Sequence, residues 1–107
     1  MKVYNKLVRD KILEIIKTSG QEAKARVLSE EEYRRELLKK LVEEANEVLA
    51  AGEDRPALTK EIGDVLTVID YIIKAFYLSR EEIETLKKFR EETRGGFKER
   101  IFLESVE

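Results

Sequence analysis

Apolar residues recur at helical spacing along most of this 107-residue chain, and this pattern limits the fold more than any other feature. A repeat of three to four residues gives each helix one apolar arc, which must pack against another helix. The breaks between the periodic segments carry recognisable helix caps. The sequence therefore predicts an all-α fold, an antiparallel helical bundle of about four helices with an extended C-terminal tail.

Capping residues set the expected bounds of these helices. Ser29 and Ser79 each precede a glutamate at spacing three, which is the capping-box pattern at a helix start. Gly52 follows the second periodic segment, where glycine often ends a helix. The linker before Ser29 contains residues 25–28, which could form a short extended piece. The predicted helices run from about Lys6 to Lys17, from Ser29 to Ala51, from Pro56 to Tyr77 and from Ser79 to Thr93.

The length of the chain bears on its domain count and its assembly. A chain of this length makes one domain with a modest core, so we expect residues 1–107 to form a single domain. Two long helices with wide apolar arcs offer more apolar surface than so short a chain can cover. We therefore expect a homo-oligomer, most simply a dimer.

The absence of two residue types restricts the chemistry. The chain has no cysteine and no histidine, which excludes disulfides, thiolate chemistry, the usual zinc sites and histidine bases. Any catalysis must use carboxylates, lysines, arginines, hydroxyls and bound metal.

The balance of charge and the lack of a long apolar run restrict the partners and the location. Charged residues make up 41% of the chain, but the net charge is only −2, which argues against a nucleic-acid polymer or a membrane surface as partner. No apolar run reaches the roughly 20 residues that a membrane span needs, and the first residues lack a signal-peptide core. The sequence therefore predicts a cytoplasmic protein.

Four carboxylates lie beside the apolar arcs of the second and third predicted helices. On a helical wheel, Glu44 and Glu47 share one edge of the second arc, while Glu43 points almost directly away from it. On the third helix, Glu61 falls inside the arc and Asp64 lies at its margin, three residues on. Because consecutive helices joined by a short turn pack antiparallel, we expect these four side chains to converge.

Converging carboxylates require neutralisation, since like charges repel strongly when they are partly removed from water. All-oxygen ligands select a hard cation such as Mg²⁺ or Mn²⁺, which would leave positions for water and substrate phosphates and favour hydrolysis at phosphorus. Two other interpretations stay open at this point. The first is a structural ion-pair network with Lys40 and Lys60. The second, a di-iron site, normally includes histidine, which this chain lacks.

The spacing of these residues resembles a known family signature. Lys40, Glu43, Glu44, Glu47, Glu61 and Asp64 are similar to the K-x-x-E-E-x-x-E … E-x-x-D pattern of the all-α nucleotide pyrophosphatase superfamily. That superfamily includes the MazG proteins, the dimeric dUTPases and phosphoribosyl-ATP pyrophosphohydrolase. The segments YNKLVRDKILEII and RGGFKERIFL resemble the opening and closing motifs of its phosphoribosyl-ATP pyrophosphohydrolase-like, house-cleaning members. Leu13 departs from the opening motif, which commonly has proline there.

The resemblance implies a MazG-like Mg²⁺-dependent nucleotide pyrophosphohydrolase, which cleaves a nucleoside triphosphate to the monophosphate and pyrophosphate. Glu44, Glu47, Glu61 and Asp64 match the metal-binding positions of the family, and Mn²⁺ could replace Mg²⁺. We expect in-line attack of water on the α-phosphorus, with Glu47 as the base. The basic residues in or beside the motifs are the candidates for binding the phosphates: Lys6, Arg9, Lys11, Lys40, Arg94, Lys98 and Arg100.

Three other functions stay open. They are a pathway enzyme similar to phosphoribosyl-ATP pyrophosphohydrolase, a nucleotide-binding regulator without turnover, and a non-catalytic dimerisation module.

The convergence of the four carboxylates also predicts that repulsion raises the pKa of at least one of them in the metal-free protein. The cluster would then destabilise the fold at neutral pH, so that replacing Asp64 with asparagine would raise stability in chelator.

Overall fold

A computed structural model describes all residues of the chain, 1–107, and contains four α-helices and no strand. The all-α prediction is therefore confirmed. The helices are α1 (Ile12–Thr18), α2 (Glu30–Ala51), α3 (Arg55–Ala75) and α4 (Arg80–Arg94). Residues 95–107 follow α4 without a further helix.

The three long helices begin and end near the predicted residues because the capping chemistry is local. The Ser29 hydroxyl accepts a hydrogen bond from the Glu32 amide, and the Glu32 carboxylate accepts one from the Ser29 amide, so the predicted capping box is present. Asp54 caps α3, whose first turn contains proline, and Ser79 caps α4. Gly52 ends α2 with a φ of 58°, which glycine adopts without steric cost.

The first helix is shorter than predicted. It begins at Ile12 instead of near Lys6, and residues 6–11 have no helical hydrogen-bonding pattern apart from the turn that leads into α1. Asn5 has a φ of +44°, a left-handed conformation that asparagine tolerates better than most residues. The basic side chains of this segment reach carboxylates on α2 and α3, and these long-range ion pairs are invisible to a periodicity argument.

The helical hairpin of α2 and α3 forms the centre of the N-terminal unit. Only three residues separate the two helices, and the helices contact each other, as an antiparallel pair must. Their most buried side chains are Leu37 on α2 and Val68 and Ile73 on α3. Many other apolar side chains of this hairpin stay exposed, for example Val42, at 61% of its full exposure.

The chain divides into two compact units, Met1–Phe76 and Tyr77–Glu107. The first contains α1, α2 and α3, and the second contains α4 and the C-terminal tail. No helix is both long enough and apolar enough to cross a membrane. The four carboxylates of the sequence signature all lie in the first unit, on its two longest helices.

Candidate metal centre

Three carboxylates from the helical hairpin converge. Carboxylate oxygens of Glu44 on α2 and of Glu61 and Asp64 on α3 all lie within 4.8 Å of one another. Their side chains are partly buried, with 13% of Glu44, 15% of Glu61 and 25% of Asp64 exposed. The spacing of three along α3 places its two carboxylates on one face, and the antiparallel packing brings Glu44 opposite them. We call these three residues the carboxylate triad.

Each carboxylate of the triad has a cation beside it. Lys40 Nζ lies 3.6 Å from Glu44 Oε1, and Lys60 Nζ lies 3.2 Å from Glu61 Oε1 and 3.1 Å from Asp64 Oδ2. Arg9 Nη2 donates to Asp64 Oδ1 at 2.9 Å. The ion pairs with Lys40 and Lys60 correspond to the network that the sequence left open, and Arg9 adds a partner from outside the hairpin.

These cations reverse the expected electrostatics at Asp64. Burial favours a raised pKa there, but hydrogen bonds from Lys60 and Arg9 outweigh it and hold the pKa of Asp64 below its ordinary value. The hydrogen bond to Asp64, and to a lesser extent the one to Glu61, raises the pKa of Lys60. The shift at Asp64 is therefore opposite to the one predicted from repulsion alone. We therefore expect Asp64 to stabilise the metal-free fold instead of opposing it.

Glu43 lies beside the triad, and its carboxylate has two lysine partners that the helical wheel did not reveal. Its carboxylate accepts hydrogen bonds from Lys6 at 2.9 Å and Lys40 at 3.4 Å. The hydrogen bond from Lys6 lowers the pKa of Glu43, and Glu43 raises that of Lys6. The contact with Lys6 brings the N-terminal segment to this side of α2. In the sequence, the position of Glu43 three residues after Lys40 indicated the ion pair with Lys40, but no local pattern indicated the one with Lys6.

Glu47 lies one turn beyond Glu44 on α2, and the structure does not bring it into the triad. Its side chain is exposed, and no cation pairs with it. Its assignment as fourth ligand and as base therefore stays a prediction. An exposed, unpaired carboxylate one turn from the triad is free to accept a proton from water or to join the ligands.

The seven candidate phosphate-binding residues fall into three groups. Lys6, Arg9 and Lys40 already contact carboxylates at or beside the triad. Lys11 is exposed at the start of α1. The remaining three belong to the C-terminal unit, where all are exposed: Arg94, Lys98 and Arg100.

The donor set of the triad fits a hard divalent cation. In an octahedral Mg²⁺ site with bonds of about 2.1 Å, ligand oxygens lie roughly 3 to 4.2 Å apart. Oxygens within 4.8 Å of one another reach this spacing with small side-chain rotations. Arg9 and Lys60 are 60% and 70% exposed, so both can move aside without disturbing the core. Three carboxylates also leave coordination positions for water and phosphate oxygens.

Comparison with known proteins places this arrangement in a family. The sequence model of one protein family, the MazG nucleotide pyrophosphohydrolase domain, matches residues 32–91, which is more than half of the chain. The matched segment contains the triad, Lys40, Glu43 and Glu47, whereas Lys6, Arg9 and the tail lie outside it. No curated protein and no solved structure matches the chain. On the family match, which spans the helical hairpin and most of α4, the chain belongs to the MazG nucleotide pyrophosphohydrolase family.

Proposed function

We propose that this protein hydrolyses a nucleoside triphosphate to the monophosphate and pyrophosphate in a reaction that depends on Mg²⁺, with Mn²⁺ as a substitute. The observation that carries the proposal is the convergence of Glu44, Glu61 and Asp64 inside the segment that matches the family. Three carboxylates within 4.8 Å on two rigid helices are a suitable set of ligands for a hard cation.

In this mechanism, Glu44, Glu61 and Asp64 would hold the ion. The bound ion would lower the pKa of a coordinated water and neutralise charge on the phosphates. Water attacks the α-phosphorus in line, its oxygen forms the new bond to that phosphorus, and the bond to the bridging oxygen of the leaving pyrophosphate breaks. Glu47, which has no ion-pair partner, accepts the proton that the water loses.

Basic side chains would bind the phosphates. Lys6, Arg9 and Lys40 support this role best because they already lie beside the triad or Glu43. Lys11, Arg94, Lys98 and Arg100 stay candidates on the basis of the sequence motifs alone. Tyr4, Phe97 and Phe102 are exposed and could stack on a nucleobase.

We further propose that the protein removes non-canonical nucleotides as a cytoplasmic homodimer. The similarity of its terminal motifs to house-cleaning members supports the first part. Exposed apolar side chains on α2 and α3, including Leu38, Leu49 and Leu66, support the second. A phosphoribosyl-ATP pyrophosphohydrolase-like role in a pathway is the alternative substrate assignment.

One rival has a specific observation in its favour. Lys40 and Lys60 pair with all three carboxylates of the triad, as a purely structural ion-pair network would require. In that case, the chain would be a non-catalytic nucleotide-binding or dimerisation module. Mg²⁺ would then leave its melting temperature unchanged, whereas a metal centre predicts an increase.

The experiment is a panel of canonical and modified nucleoside triphosphates with Mg²⁺ in water enriched in oxygen-18, analysed by chromatography and mass spectrometry. The proposal predicts the monophosphate and pyrophosphate, with the label in the monophosphate. Glu47→Gln should lose most of the turnover, while Glu53→Gln, an exposed substitution in the turn between α2 and α3, should keep it. Release of orthophosphate, label in pyrophosphate, or full activity in excess chelator would overturn the mechanism.

A further inference from the structure

A short N-terminal segment, residues 4–11, crosses the helical hairpin beside the carboxylate triad. Asn5, with its φ of +44°, precedes two residues that make long-range ion pairs. Lys6 Nζ lies 2.9 Å from Glu43 Oε1 on α2, and Arg9 Nη2 lies 2.9 Å from Asp64 Oδ1 on α3. These contacts join residues 37 and 55 positions apart, so the segment is held by the tertiary structure.

The two ion pairs differ in their relation to the site. Lys6 binds Glu43, which is not a member of the triad, and therefore fixes the segment beside the site. Arg9 binds Asp64, which is a member, and lies directly at the ligands. Arg9 is also 60% exposed, so its guanidinium can leave Asp64 while Lys6 keeps its own contact.

A divalent ion and Arg9 cannot share Asp64 freely. Arg9 binds Oδ1 and Lys60 binds Oδ2, so both oxygens of this carboxylate have a cation partner before any metal arrives. A dication at the triad would repel a guanidinium that is hydrogen-bonded to one of its ligands. Metal binding must therefore compete with the Arg9 ion pair.

The released guanidinium would stay close to the site. Three residues along the chain span at most about 10 Å, so a segment fixed at Lys6 keeps Arg9 near the triad. The planar fork of arginine suits two phosphate oxygens at once, unlike the ammonium group of Lys60. The nucleotide would bring those oxygens to the ion.

We propose that Arg9 is an exchangeable counter-ion, which occupies Asp64 in the metal-free protein and transfers to a phosphate group of the nucleotide when the divalent ion binds. This role rests on the proposed function, because both the divalent ion and the nucleotide belong to it. The first half of this role concerns the metal-free protein and requires no turnover. Removing Arg9 should accordingly strengthen metal binding and weaken phosphate binding, two effects of opposite sign.

The experiment measures Mn²⁺ binding by isothermal titration calorimetry without nucleotide, in the parent, Arg9→Gln and Arg9→Lys. Loss of one exposed competing ion pair should tighten Mn²⁺ binding by about two- to fivefold in Arg9→Gln. Arg9→Lys keeps the charge and should bind Mn²⁺ like the parent. Pyrophosphate binding with saturating Mg²⁺ should weaken about tenfold in Arg9→Gln because a charge-assisted contact is lost.

Arg26→Gln is the matched control. Arg26 makes an ion pair of similar length with Glu32, 2.8 Å, and is 67% exposed, but its partner lies outside the triad. Its loss should change neither affinity. Unchanged or weaker Mn²⁺ binding in Arg9→Gln would overturn the counter-ion role, and unchanged pyrophosphate binding would overturn the transfer. If the parent failed to bind Mn²⁺ at all, this inference and the proposed function would both be wrong.

Discussion

Replacing Asp64 with asparagine should lower the stability of the metal-free protein. The substitution keeps the shape of the side chain and removes the charge that Arg9 and Lys60 contact at 2.9 and 3.1 Å. A cluster dominated by repulsion would give the opposite result, because removing one negative charge would relieve it. The sign of the change in melting temperature therefore shows whether attraction by Arg9 and Lys60 outweighs repulsion among the carboxylates.

The expected magnitude is modest because both partners are exposed. Ion pairs of this kind contribute about 0.2 to 1 kcal/mol each after screening by solvent, so the loss of two should cost about 1 kcal/mol. For a chain of this size, such a loss lowers the melting temperature by roughly 4 °C. With Mg²⁺ at ten times its dissociation constant, bound metal should add about 1.4 kcal/mol to the free energy of unfolding of the parent. The variant should bind Mg²⁺ more weakly and gain less, so the difference in stability between the two proteins should widen.

The pH dependence gives a second check on the sign. Because the folded-state pKa of Asp64 is lowered, the native protein binds fewer protons than the unfolded chain near that pKa. The stabilisation is present above the ordinary aspartate value of 3.8 and disappears as the pH falls through the lowered folded-state value. In chelator, the parent and Asp64→Asn should therefore differ at pH 7 and converge below about pH 4.

The assay is urea denaturation of the parent, Asp64→Asn, Lys60→Gln and the double variant, each in chelator and in Mg²⁺. The double-mutant cycle should give a coupling of about 0.5 kcal/mol between Lys60 and Asp64 in chelator. A higher stability of Asp64→Asn in chelator would refute the reasoning. It would mean that repulsion within the triad exceeds the attraction of Arg9 and Lys60.

Three further predictions concern assembly and stability. Light scattering at micromolar concentration should show a multiple of the 12.5 kDa chain mass, since exposed apolar side chains cover α2 and α3, and a purely monomeric species would contradict this. Glu32→Gln should lower the melting temperature at pH 7, because the hydrogen bond from Arg26 and those from Ser29 lower the pKa of Glu32 from 4.5 to about 2. Because this stabilisation requires ionised Glu32, the difference should shrink as the pH falls from about 4.5 to about 2, and a difference as large at pH 2 as at pH 7 would exclude this cause. Gly63→Ala should raise the free energy of unfolding by about 0.5 to 1 kcal/mol, because the added methyl group meets open space within a helix, and a destabilised variant would show that another surface packs there.

The sequence predicted the three long helices well because their bounds depend on local chemistry. Ser29, Asp54 and Ser79 accept hydrogen bonds from amides three residues later, and Gly52 adopts a conformation that favours glycine. These interactions involve near neighbours in the chain. The placement of Glu44, Glu61 and Asp64 also followed from local rules, namely the helical period and a short connection between two helices.

The main error of the sequence-based prediction lies in the N-terminal segment, because contacts with distant residues decide its structure. The predicted helix began near Lys6, but residues 6–11 instead direct Lys6 and Arg9 toward Glu43 and Asp64, far away in the chain. No periodicity argument identifies which carboxylate a lysine will meet across 37 residues. The contact from Lys6 explains the partner found on Glu43, and the contact from Arg9 adds to the larger effect of Lys60 in lowering the pKa of Asp64.

Binding of Mn²⁺ to the parent and to Glu61→Gln tests the central claim most directly. Glu61 is the least expected carboxylate, since it falls inside the apolar arc of α3 and only 15% of its side chain is exposed. Free Mn²⁺, measured by electron paramagnetic resonance, should reveal a dissociation constant at least about tenfold weaker in Glu61→Gln than in the parent, since a charged ligand is lost. Glu53→Gln, which removes an exposed carboxylate from the turn after α2, should bind like the parent. Equal binding of Mn²⁺ by the parent and Glu61→Gln would contradict the claim that the carboxylate triad holds the metal.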